Sequence, residues 1–209
     1  MKNKSFISIL LVSYMFLLFL FFCIVSISSY YNIPVANFTG DPALINGGHP
    51  FIGILSNIGI LIWSFTVAIC LFSSVILLKN KKTEASIFLL FSSLLTMFLL
   101  LDDLFMFHER IFPQYLHIPQ KTVYSGYLIT IILYFIKFRK FIILKTEYIV
   151  LFLACGFFGL SILYDMIMPQ SHDSINYLIE DGLKFYGITT WFIFFVRTSY
   201  IQVSKSTFN

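Results

Sequence analysis

The chain has 209 residues, 58% hydrophobic and only 11% charged, with 26 phenylalanines and a net charge of +4. That composition excludes an ordinary water-soluble domain and places the chain in lipid. The basic residues sit in short clusters between apolar runs, as in membrane loops, so the positive charge implies no nucleic-acid partner.

Taken in order, the apolar runs predict an all-α, polytopic membrane helix bundle forming one transmembrane domain over 1–209. Span one covers about 6–28, after Lys2 and Lys4. A secretory signal peptide would have a shorter apolar region and a small-residue cleavage site, which favours a retained helix. An external loop over 29–50 follows, rich in Gly and Pro and free of Lys and Arg. Span two (51–78) ends at Lys79, Lys81 and Lys82, and span three (85–107) delivers the sequence LDDLFMFHER at its far end. Span four (123–136) stops before Lys137, Arg139, Lys140 and Lys145; span five (148–168) ends at Pro169, which cannot continue a helix. Span six covers 177–200. Cys23, Cys70 and Cys155 lie within apolar runs without CxxC spacing and read as packing residues.

Counting loops alternately, eleven basic residues fall on the side holding both termini, against Arg110 and Lys121 on the other. Lys and Arg are retained inside, so both termini are expected on the cytoplasmic side of a bacterial inner (plasma) membrane or an equivalent membrane. The acids divide the opposite way. Only Glu84 and Glu147 share the basic side; Asp41, Asp102, Asp103, Glu109, Asp165, Asp173, Glu180 and Asp181 lie toward the exterior, with His49, His108, His117 and His172. The outer ends of spans three, five and six therefore carry a candidate polar pocket. A bland explanation competes with it, since acids simply avoid the basic side.

Helical spacing ranks the members. Asp102 and Glu109, seven apart, share a face, and Asp103 is expected to pair with Arg110 on the neighbouring flank. In a regular helix His108 points away from Asp102 and joins the site only if the helix ends first or another helix faces it. Lys184 lies four residues after Glu180 and three after Asp181, so a local ion pair is expected there. Gly156 and Gly159 offer close packing that would bring Asp165 toward span three or six. Six acids, Asp102, Asp103, Glu109, Asp165, Glu180 and Asp181, then face Lys184 and Arg110, a group that needs cations, protons or water to stay compact.

Three functions meet that need. The first is a metal-dependent, hydrolase-like membrane enzyme on a lipid, with Asp102, His108, Glu109, Asp165, Glu180 and Asp181 as candidate ligands of a divalent metal and Asp102, Glu109 and Lys184 as catalytic residues. The second is a proton- or cation-coupled transporter or channel, and the third a non-enzymatic scaffold or assembly subunit. The expected partners are the bilayer and a lipid or ion substrate; the sequence is silent on oligomeric state.

Fragments resemble known families. Tyr164-Asp165 with Asp181-Gly182 resembles the aspartate pair of intramembrane aspartyl proteases, without their GxGD. Ser56 with Asp102 is similar to part of the site of ceramidase-like hydrolases, without the HxxxH pair, and Lys184 resembles the retinal lysine of microbial rhodopsins, with six spans in place of seven. None of these covers enough of the chain to assign a family.

Overall fold

A computed structural model describes residues 2–39, 42–49, 51–167 and 174–207. Regular structure among them is helical throughout. The chain divides into two compact units, Met1–Gly53 and Ile54–Asn209.

In the first unit, α1 (Lys2–Tyr31) is followed by two single turns, α2 (Ala36–Thr39) and α3 (Pro42–Ile45). α1 runs beyond the expected span at both ends. It stops where Asn32 takes a left-handed conformation, φ 55°, with Pro34 close behind. The Ser28 hydroxyl donates to the Ile33 carbonyl at 2.6 Å and fixes the exit. The connection over 29–50 thus contains helical turns as well as loop.

The second unit contains α4 (Ile54–Lys79), α5 (Thr83–Phe105), a π-helical turn (Phe107–Ile111), α6 (Phe112–Tyr115), α7 (Gln120–Lys145), α8 (Tyr148–Ile167) and α9 (Ser174–Thr207). α4, α5 and α8 are long and apolar enough to cross a membrane. In their most apolar stretches only 33%, 44% and 17% of residues are buried against protein, so most of each helix turns apolar side chains outward. Such surfaces belong in lipid.

What holds helices together in lipid is close packing and polar contact. α4 and α5 use serines: Ser74 and Ser86 each donate to the other's carbonyl, at 2.8 and 2.9 Å, next to the turn that joins the helices. Further along, the Ser93 hydroxyl reaches the Val67 carbonyl. α9 joins α5 through the Trp191 indole donating to Thr96 Oγ1 at 3.0 Å, and α7 joins through Tyr134 and Ser92 at 2.7 Å. Around these contacts lies an aromatic core in which Phe88 packs on Phe138, Phe141 and Phe195.

α7 and α9 both run past their expected bounds. α7 stays helical through Lys137, Arg139, Lys140 and Lys145, and α9 runs from Ser174 to Thr207. Long cationic side chains carry their charge away from an apolar helix wall, so a basic cluster need not end a helix. The close approach expected at Gly156 and Gly159 occurs instead at Gly187 of α9, where an added Cβ would lie 2.7 Å from the Phe158 ring. The expected stop at Pro169, together with Asp41, His172 and Asp173, lies outside the described residues.

Candidate functional site

α5 ends three residues after Asp102, and that ending builds the site. Met106 adopts φ 52°, ψ 47°, a left-handed conformation that costs a residue with a Cβ roughly 1–2 kcal/mol. The chain then makes one π turn, in which the N–H groups of Arg110 and Ile111 both reach the Met106 carbonyl. The break cancels the angular separation that a regular helix would impose. His108 swings back onto Asp102, with Nδ1 at 2.7 Å from Oδ2 and its backbone N–H at 3.0 Å from Oδ1. Strain of this kind persists only where surrounding contacts over-determine it. Here Asp102 supplies them, and the shared helical face of Asp102 and Glu109 is replaced by a corner.

α7 contributes the residues that sequence reasoning missed. Tyr127 donates to Asp102 Oδ1 at 2.6 Å, so the carboxylate, only 6% exposed, accepts from three donors. Tyr124, one turn earlier, lies against the His108 ring at 5.3 Å between centroids and donates to Asp165 Oδ2 at 3.4 Å. Gln120 in turn donates to the Tyr124 hydroxyl at 2.9 Å. The signal was present, since Gln120, Tyr124 and Tyr127 recur at helical spacing on one face of an otherwise apolar span.

Asp103 takes a different partner from the one expected. Its carboxylate pairs with the Lys184 ammonium of α9, while Arg110 is exposed on the π turn. Lys184 thereby bridges α9 to α5, and the expected local pair with Glu180 is not formed among the described residues. The reason is depth: Lys184 lies a turn further into the bundle than Glu180, facing the nearly buried Asp103. α8 and α9 are tied beside it by Ser161, whose hydroxyl donates to the Glu180 carbonyl at 3.1 Å.

These groups surround one cavity of about 480 Å³. Its lining includes all six acids, Asp102, Asp103, Glu109, Asp165, Glu180 and Asp181, with His108 and Lys184. Apolar walls come from Trp63, Leu99, Ile131, Phe158 and Ile162. The Trp63 side chain is buried and its indole N–H lacks a hydrogen-bond partner among the described residues, leaving a donor on the wall. The volume and mixed lining suit a small amphipathic ligand or a lipid headgroup with part of its chain.

Proximity around the cavity is selective. Among the described residues no three His, Cys, Asp or Glu side chains group closely enough to hold a metal ion. Asp102 is occupied by Tyr127 and His108, and Asp103 by Lys184. What does come together is an imidazole held on a carboxylate. In the tautomer that donates Nδ1–H to Asp102, Nε2 of the His108 ring is left as the acceptor. Glu109 Oε1 stands 3.6 Å from Nε2, just beyond hydrogen-bond distance and close enough to share a water or hydroxyl.

The chain belongs to the family described as a domain of unknown function, DUF8692, whose model matches residues 9–198. No curated protein and no solved structure matches it.

Proposed function

We propose that the chain is a six-span integral membrane protein with both termini in the cytoplasm, and that its cavity is the acid–base site of a membrane-embedded hydrolase acting on a lipid. α1, α7 and α9, with 30, 26 and 34 residues, extend about 45, 39 and 51 Å at 1.5 Å per residue, enough to cross a hydrocarbon core of about 30 Å. α7 also exposes Leu128, Ile129, Ile132 and Leu133, a surface suited to lipid. The bias of Lys and Arg supports the orientation in a bacterial inner membrane or an equivalent plasma membrane.

The observation that carries the chemistry is the Asp102–His108 pair on the cavity wall. Nε2 of His108 takes a proton from water, and the hydroxide attacks the ester carbon of the substrate. The bond to the leaving alcohol breaks, and the imidazolium returns its proton to that oxygen. Asp102 holds the ring's tautomer and stabilises its charged form. The scattered donor set favours this protein base over a metal-held hydroxide.

A second reading, a proton- or cation-coupled transporter, is favoured by the six carboxylates lining one cavity. One experiment separates the two. Purified protein is incubated with a membrane lipid extract and the products are identified by mass spectrometry, while proteoliposomes are assayed for proton flux. The hydrolase reading expects lipid products that disappear in His108→Ala without any flux. Flux lost in His108→Ala, with no product, would favour transport.

A further inference from the structure

We propose that the opposite end of the bundle carries a second site, one that binds the phosphate headgroup of an anionic phospholipid. Between the start of α5 and the end of α7 lies a cavity of about 360 Å³. Lys137, Arg139 and Lys140 line it together with the apolar side chains of Ile87, Ile136 and Phe141. Because α7 remains helical through this segment, its cations stand on a helix wall beside the core instead of trailing in a loop.

Charge within this cavity is unbalanced in the way an anion needs. Glu84, the acid on its lining, is neutralised by Lys145. Lys137 stands at the rim with Nζ 3.5 Å from the centroid of the Phe91 ring. Arg139 and Lys140 are exposed and make no ion pair among the described residues. A phosphate diester meets two free cations there, and the guanidinium matches its oxygens in bidentate fashion.

Position selects a lipid as the source of that phosphate. Glu84 and Asp102 lie eighteen residues apart on α5, about 27 Å, so the basic cavity sits near one face of the hydrocarbon when the acidic cavity sits near the other. A headgroup at that depth leaves its acyl chains beside Ile87 and Ile136, which are exposed on the helices that face lipid. Basic pockets between helix ends are where anionic headgroups bind.

The test uses the full chain in neutral detergent, titrated with phosphatidylglycerol or phosphatidylcholine, with bound lipid counted by native mass spectrometry. Wild type should retain phosphatidylglycerol preferentially, and millimolar inorganic phosphate should not displace it. Arg139→Gln/Lys140→Gln should weaken retention about fivefold per cation removed. The swap Arg139→Lys/Lys140→Arg and Lys121→Gln at the far end of α7 should both retain the lipid, which separates site loss from misfolding. Equal retention of the two lipids, or an unaffected Arg139→Gln/Lys140→Gln protein, would overturn the proposal. Displacement by inorganic phosphate alone would also overturn it, by assigning the site to a free anion.

Discussion

The two ends of α5 treat charge in opposite ways. At the Thr83 end, Glu84 pairs with Lys145, and nearby Glu147 accepts from Arg197, with all four side chains at least 41% exposed. Each pair joins separate segments of the chain, yet both partners stay wet. At the Phe105 end the Asp102 and Asp103 side chains keep only 8% and 10% of their exposure, and each is held by groups from another helix or from beyond the helix break. Water solvates the first set, whereas the second survives burial only through fixed donors. A carboxylate held that way can orient a base, and this is why the chemistry is assigned to one end although both are rich in charge.

Substitutions test that contrast. The largest effect is expected for His108→Ala, which removes the base and should lower turnover about 10²–10⁴-fold while leaving the bundle folded. Next comes Lys184→Met, which strands Asp103 at low exposure. Thermal unfolding in detergent should register about 2–3 kcal/mol, less than the roughly 3–5 kcal/mol of a fully buried pair because the lysine side chain keeps 36% of its exposure. Adding Asp103→Asn should recover most of that loss, and Lys145→Met at the wet end should cost about 0–1 kcal/mol. If the two lysine variants were equally mild, the contrast would collapse.

Smaller effects sharpen it. Gly187→Ala places a methyl 2.7 Å from the Phe158 ring, which must move on the cavity wall; about 1–3 kcal/mol should be lost, visible as a lower unfolding temperature. Met106→Gly should stabilise the protein by about 1 kcal/mol at most and preserve turnover, because glycine accepts the left-handed conformation without a Cβ clash. Met106→Val should do the reverse in both assays. The smallest effect belongs to pH at the wet end. The Arg197 guanidinium holds the Glu147 carboxyl below the usual carboxylate range. A depressed folded pKa contributes stability that is present above the unfolded value and is lost as pH falls through the folded one. The gap in unfolding temperature between wild type and Glu147→Gln should therefore be greatest near neutral pH and close as the solution becomes acidic.

Long apolar runs made the helices legible, and the segregation of acids from bases pointed to one end of the bundle. The course of the chain within that end was hidden. Met106 carries no turn signal, since methionine favours helix, and its left-handed geometry is imposed by what Asp102 gains from His108. Spacing arithmetic assumes regular helix, so one such residue was enough to misassign the partners of Asp102 and Asp103. Tyr124 and Tyr127 carry no charge, so the segregation of acids from bases does not single them out. Their hydroxyls point inward only because α7 packs beside α5, a tertiary fact. The basic run 137–145 read as a loop by charge alone, although its apolar residues Phe138, Phe141 and Ile142 are buried in the core.

If Asp102 fixes His108 as a base facing the cavity, the ring nitrogens report it directly. In protein labelled with ¹⁵N-histidine, with the His108 signals assigned by substitution, the neutral ring should carry its proton on Nδ1. In Asp102→Asn that preference should be lost. A His108 ring protonated on Nε2 in wild type, or one whose tautomer is indifferent to Asp102→Asn, would contradict the account.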